Sequence, residues 1–224
     1  MSLAQDNALY PFKRYAEMTA SILLETKAVM LSPDKPFTLT SGRQSPVYVD
    51  CRRLIAFPRA RAQLMDMGVS LINHHVGYDK IDVVAGGETA GIPFATMLAE
   101  RMNLPLCYIR KKPKGFGRNA RIEGNVTEGQ TALMVEDMTT DGGSKLSFID
   151  GLRDAGAVCN HCFVIFQYGI FPDKMKQLEA HDLSLFSLAD WWDVLAIAKA
   201  RQSFNSQQFD NIERFLNSPL DWQA

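Results

Sequence analysis

Residues 133–145, LMVEDMTTDGGSK, set two carboxylates, Glu136 and Asp137, at the end of an apolar run. After them come the hydroxyls of Thr139 and Thr140, then Asp141, Gly142, Gly143, Ser144 and Lys145. Carboxylates accept hydrogen bonds from the vicinal hydroxyls of a sugar. Glycines at the head of a helix leave several backbone N–H groups, and the positive end of the helix dipole, turned towards one anion. The acids would repel a phosphate, so the two roles separate: acids for a diol, amides for a phosphate monoester. That ligand chemistry is a ribose 5-phosphate. The spacing of a Walker loop is absent, and so is that of a G-x-G-x-x-G turn. The plainer reading makes Asp137 a cap for the following helix and the glycines a simple bend.

Two further stretches carry chemistry. RKKPKGFGRNAR (110–121) holds Arg110, Lys111, Lys112, Lys114, Arg118 and Arg121 without an acid. Its glycines and proline give it no helical phase, so it reads as a cationic loop able to close over a pyrophosphate and exclude water, against the default of a solvated face. RNA is the rival ligand, but Phe116 is its only aromatic residue and the chain as a whole is not basic. VVAGGETAGIPFA (83–95) is a strand, a glycine turn and a helix, a weak signal by itself.

The elements that must position these residues follow from periodicity. IDVVAGG, PLCYI, TALMVED and AVCNHCFVIFQY read as buried strands, and PRARAQLMDMGVSLINHH, AGIPFATMLAERMN and GGSKLSFIDGLRDAG as the helices between them. Such alternation predicts an α/β fold, an open parallel sheet with helices on both faces and ligands at the carboxyl ends of its strands. Glu136 and Asp137 fall at one such end. Ahead of this core, residues 8 to about 31 show helical spacing (Leu9, Phe12, Ala16, Ile22, Leu23, Val29), and FTLTSGRQSPVYVDCRRLI alternates around a Ser-Gly turn as two short antiparallel strands. Behind it, DWWDVLAIAKARQSF and QQFDNIERFL supply two more amphipathic helices, with Trp191 and Trp192 read as packing residues. One domain is expected over 1–224: helix and hairpin to about 57, the α/β core over 58–170, and a helical extension over 171–224.

With 224 residues, 46% of them hydrophobic, the chain can bury a substantial core. Its net charge of -1 provides no global field for nucleic acid or a membrane surface. No apolar run approaches membrane-spanning length, and four scattered cysteines suit a reducing cytoplasm. The close pair in CNHC (159–162) has the spacing of half a zinc site, but it sits in an apolar run, and buried small hydrophobes are the better reading.

In its strand, acid pair and hydroxyl- and glycine-rich turn, Glu136, Asp137, Thr140, Gly142 and Ser144 above all, the chain resembles the type I phosphoribosyltransferases. Asp141 departs from their pattern, and Lys145 is the cation at hand to meet it. The loop at 110–121 is similar to the catalytic loop of the orotate phosphoribosyltransferases, and S-G-x-x-S-P-x-Y-x-D (41–50) resembles their amino-terminal hood. The resemblance spans roughly residues 15 to 168. It implies a transferase acting on 5-phosphoribosyl 1-diphosphate (PRPP) and orotate with Mg2+ held mainly by PRPP and water, in a cytoplasmic homodimer that shares the active-site loop. Alternatives are another base, purine or uracil, or a regulator that only senses the ligand.

By the same resemblance, Lys114, Asp137 and Glu136 are catalytic. PRPP would be bound by Arg110, Lys111, Lys114, Gly87, Glu88, Thr89, Glu136, Asp137, Thr139, Thr140, Asp141, Gly142, Gly143 and Ser144. Thr140, Arg43, Tyr48 and Val49 would bind orotate. Phe116 stands where the family commonly has histidine, Ala90 where some relatives have lysine, Thr40 in place of a hood lysine, and Gln167 or Tyr168 in place of an arginine.

Overall fold

A computed structural model of the chain describes residues 3–39, 42, 44–113, 121–140 and 143–223, without the side chains of 3–10, 143, 144 and 172–175. The elements are α1 (Leu3–Glu25), β1 (Val29–Leu31), β2 (Phe37–Thr38), β3 (Gln44–Ser45), β4 (Val47–Val49), a 3-10 segment at Cys51–Ala56 and α2 (Pro58–His75). Next come β5 (Val83–Gly87), α3 (Gly91–Met102), β6 (Leu106–Ile109), β7 (Ile122–Glu123), β8 (Thr131–Thr139) and α4 (Gly143–Asp154). The chain continues through β9 (Val158–Gln167), α5 (Pro172–Ala180), β10 (Ser184–Ala189), α6 (Trp191–Ala200) and α7 (Ser206–Asn217).

Six strands form one sheet in the order β10-β9-β8-β5-β6-β7. Its pairings are parallel except for the short edge strand β7, which runs antiparallel to β6. Alternation along each strand divides the core into two layers, because successive side chains leave opposite faces. Val84, Leu133, Val135, Phe163 and Ile165 pack towards α1, α2, α3 and α6. Val83, Ala85, Ala132, Met134, Cys162 and Val164 pack towards α4 and α5. The expected parallel α/β sheet is therefore present, with its continuous apolar strands buried on both sides.

The N-terminal piece differs from the expected helix at its end. Thr26 Oγ1 donates to Ile22 O (2.7 Å), Lys27 takes a left-handed φ of 55°, and Val29 enters β1 instead of continuing the helical face. β1 then pairs with β4 (Met30 opposite Tyr48), while β2 and β3 form the expected hairpin (Phe37 opposite Ser45). A three-residue apolar stretch fits either period, and pairing across the hood decides it.

The segment after residue 171 is not purely helical. LSLFSLA provides β10, which joins the sheet parallel to β9 with Ser184 opposite His161, and α5 precedes it. The expected helices α6 and α7 follow, each with a capping box, Asp190 with Asp193 and Asn205 with Gln208. From α7, Asn211 Nδ2 donates to Pro33 O (2.9 Å) and Gln208 Nε2 to Asp34 Oδ2 (2.6 Å), which ties the C-terminal helices to the hood. Trp191 is fully buried against Phe166, with ring centroids 5.1 Å apart, whereas Trp192 is 40% exposed. All four cysteines are buried thiols, as small hydrophobes would be. Among the described residues, no helix is long and apolar enough to cross a membrane.

Candidate active site at the carboxyl ends of the strands

Glu136 and Asp137 lie near the carboxyl end of β8, each only 7% exposed. Met138 N donates to Asp137 Oδ1 (2.9 Å), so the Asp137 carboxylate is held by its own strand. Glu136 Oε2 accepts from Lys145 Nζ at 3.4 Å, and both side chains are buried. Its other oxygen, Oε1, is buried without a hydrogen-bond partner among the described residues, and the same holds for Thr139 Oγ1 three residues on. Buried acceptors without partners are rare in folded proteins and point to a missing ligand or water.

Burial dominates the electrostatics of this pair. Glu136 is raised from 4.5 to about 7, mainly by desolvation, with Lys145 opposing the rise and Asp137 adding to it. Asp137 is also raised by burial, again opposed by Lys145 and by its bond from Met138 N. Two adjacent carboxylates in a dry site cannot both hold their charge easily.

The turn from β5 to α3 is pressed against the acids because its glycines allow it. A Cβ on Gly87 would stand 2.1 Å from Glu136 Oε1, and one on Gly91 would stand 2.3 Å from Val135 O. In the same turn, Glu88 N donates to Ile109 O (2.9 Å), Glu88 Oε2 accepts from Lys111 N (2.8 Å), and the Glu88–Thr89 peptide is cis. These bonds fasten the glycine turn to the start of the basic loop. That loop leaves the sheet as a hairpin: Arg110 N donates to Arg121 O (2.7 Å) beyond the β6/β7 ladder. Arg110 pairs with Glu123 at 3.4 Å, and Arg121 reaches across to Ser147 Oγ on α4 (3.1 Å). The positive charge of Lys111 reaches Glu136, and that of Arg52 reaches Asp137.

The hood faces the same end of the sheet. Tyr48 is half-buried, with its ring 5.5 Å from that of Phe37, and Val49 is 8% exposed. Tyr168 follows β9, where its N–H donates to Thr139 O (2.9 Å), and its ring is packed by Phe166, Phe171 and Trp191. Burial pushes the Tyr168 phenol well up, with the Cys51 thiol and the Tyr48 phenol acting in the same direction. Cys51 in turn lies within the field of Asp137, so Tyr48, Cys51, Tyr168 and the acids share one neighbourhood.

Of the residues singled out from the sequence, Gly87, Glu88, Glu136, Asp137, Thr139, Arg110 and Lys111 are thus brought together, with Thr89 and Thr140 exposed on the adjoining turns and Gly143 opening α4. Lys114, Phe116, Thr40, Arg43, Asp141 and Gly142 lie outside the described residues, as does the side chain of Ser144. Sequence reasoning missed the Lys145–Glu136 pair, and the Asp141 partner it gave Lys145 lies outside the described residues. The signal was available in part, since a lysine in the first turn of a helix opposes the helix dipole. A concavity of about 650 Å3 lies elsewhere, against α7, lined by Asp210, Glu213, Arg214 and Trp222 among others. Its acidic rim suits no diphosphate.

Residues 61–197 match the family model described as phosphoribosyl transferase domain. The chain is 56% identical over 213 residues to an orotate phosphoribosyltransferase of Cereibacter sphaeroides, an alignment covering 95% of this chain and 92% of the relative. Among solved structures, the orotate phosphoribosyltransferase of Aeropyrum pernix matches with a TM-score of 0.69 at 28% identity, over 83% of this chain and 99% of that one. UMP synthase of Leishmania donovani matches with a TM-score of 0.75 at 26% identity over 92% of this chain, which spans 43% of that longer protein.

Proposed function

Because this chain belongs to the phosphoribosyl transferase family, and within it to the orotate phosphoribosyltransferases, we propose that it transfers the 5-phosphoribosyl group of PRPP to orotate. The products are orotidine 5'-monophosphate and pyrophosphate, an intermediate of pyrimidine nucleotide synthesis and its leaving group. One observation carries the assignment of the site. A buried carboxylate pair with an unpartnered oxygen, Glu136 Oε1, stands at a strand end between a glycine turn and a helix that begins at Gly143.

The roles follow from charge. Glu136 and Asp137 accept the ribose 2- and 3-hydroxyls and favour the positive charge that grows on the sugar as its bond to diphosphate breaks. Thr139 and Thr140 hydroxyls and the backbone of 141–144 receive the 5-phosphate at the head of α4. Gly87, Glu88 and Thr89 approach the diphosphate through backbone, and Arg110, Lys111 and Lys114 take up its negative charge as it leaves. The turn and loop fit a diphosphate that arrives with Mg2+: glycines permit close backbone approach, and the Glu88 carboxylate is already bonded to Lys111 N. Mg2+, a hard cation, would be held by diphosphate oxygens and water, and when bound it neutralises the leaving group.

Orotate falls to the hood side, against Tyr48, Val49, Arg43 and Thr140. The reading carries with it a homodimer in which each protomer lends its loop to its partner's site, and work in the cytoplasm. Product formation measured side by side with orotate, uracil, hypoxanthine and adenine tests the proposal. Orotidine 5'-monophosphate from orotate, with no nucleotide from the purines, supports it. Turnover of a purine alone assigns a different base, and binding of PRPP without turnover of any base assigns a sensor.

A further inference from the structure

We propose that Lys145 is a positioning residue for the sugar site: its ammonium, enclosed beside Glu136, keeps that carboxylate ionised and turned so that Oε1 is left for a ribose hydroxyl. This rests on the reading of Glu136 as a diol acceptor.

Lys145 is in a place that stability alone does not favour. It is only 6% exposed, and lysine is almost never so buried without a partner. It also sits in the first turn of α4, where the helix dipole disfavours a cation. The 3.4 Å bond from Nζ to Glu136 Oε2 gives this enclosed ammonium an opposite charge. That bond occupies one carboxylate oxygen and leaves the other without a hydrogen-bond partner among the described residues. A neutral residue at 145 would avoid both penalties but would leave two adjacent buried acids competing for their charge.

Among the described residues, few charged groups act on Glu136. Asp137 on β8 and the Cys162 thiol on β9 carry or can carry negative charge, and Lys111 brings a second, more distant cation from the start of the loop. From the turn between β5 and α3, Gly87 and Gly91 face its Oε1, and neither titrates. Among the described residues, Lys145 is thus the strongest compensating charge, and it lowers Glu136 more than Lys111 does. Even so, burial holds Glu136 at about 7. Falling pH protonates Glu136 and removes an acceptor from the diol, so affinity for the sugar falls with pH. Without Lys145 the same loss begins at higher pH.

The test is titration calorimetry of PRPP with Mg2+ into wild type and Lys145→Met at intervals from pH 6 to pH 9. Ionisation of the ligand is common to both proteins and cancels in the ratio of their dissociation constants. A close opposite charge moves a carboxylate by about one to three pH units. The ratio is therefore expected to grow at least about fivefold between pH 9 and pH 6. Lys145→Arg retains the cation and is expected to follow the wild-type curve. In a Glu136→Gln background, Lys145→Met should leave the pH dependence unaltered. If Lys145→Met fails to fold, Lys145→Gln supplies the neutral side chain. A ratio constant across the range, with wild type binding normally, overturns the inference and leaves Lys145 a structural residue. Absence of PRPP binding by the wild type at every pH overturns the functional reading as well.

Discussion

Replacing Glu136 by glutamine should stabilise the protein while damaging its activity, and the two effects should depend on pH in a calculable way. Burial raises Glu136 from 4.5 to about 7. Between those values the folded chain retains a proton that the unfolded chain has lost. Stability therefore falls as pH rises through that window, and stays lower above it. At about 1.4 kcal/mol per pH unit, the gap corresponds to about 3 kcal/mol at pH 8. Glutamine mimics the protonated carboxyl and never pays this charge penalty, and its amide oxygen can still accept from Lys145 Nζ. Urea unfolding of wild type and Glu136→Gln should differ by about 3 kcal/mol in favour of the variant at pH 8, and by less than about 1 kcal/mol at pH 5. The melting temperature at pH 8 should rise by about 5–10 °C. At the same pH, kcat/KM should fall roughly 10- to 100-fold, the cost of losing a charged acceptor for a hydroxyl. A variant less stable than wild type at pH 8, or a difference that does not change with pH, refutes the reasoning that burial controls this carboxylate.

Three further substitutions test the proposed site. Tyr168→Phe should raise KM for orotate about tenfold and leave KM for PRPP unchanged, because the phenol, kept protonated by burial, has no hydrogen-bond partner among the described residues; equal changes in both constants would exclude a role at the base. Gly87→Ala would place a methyl group 2.1 Å from Glu136 Oε1 and 2.8 Å from Phe148 Cε2. It should cost about 1–3 kcal/mol in thermal unfolding and weaken PRPP binding in calorimetry. Lys114→Ala should reduce turnover at least about 100-fold with a melting temperature close to wild type, and a wild-type rate would remove the loop from the mechanism.

The core of the fold was legible because its strands are short apolar runs punctuated by glycine turns and its helices are strongly periodic. TALMV could only be a buried strand, and its two acids then had to emerge at the ligand end. β10 was not legible, since SLFSLA is short, mixes serine with apolar residues and follows a helix, so only its place beside β9 makes it a strand. β1 was hidden for a similar reason, as Val29 fits helical spacing until the left-handed Lys27 breaks it. At the site, Glu136, Asp137 and the run of cations from Arg110 could be singled out from residue type and spacing, whereas Gly87 came only with the family resemblance. The Lys145–Glu136 contact could not, because it depends on how α4 is laid over β8. Tyr168 was visible only as an absent arginine, and the neighbourhood it forms with Tyr48 and Cys51 comes from the fold.

The central claim is that Glu136 and Asp137 bind a ribose diol. The most direct measurement is a thermodynamic cycle: calorimetric affinities of orotidine 5'-monophosphate and its 2'-deoxy counterpart for the wild type and for the Glu136→Gln, Asp137→Asn double variant. The account expects loss of the hydroxyl to weaken binding to the wild type by about 1.5–3 kcal/mol, and to matter little to the double variant. An equal loss in both proteins would mean that the acids do not touch the sugar, and would contradict the account.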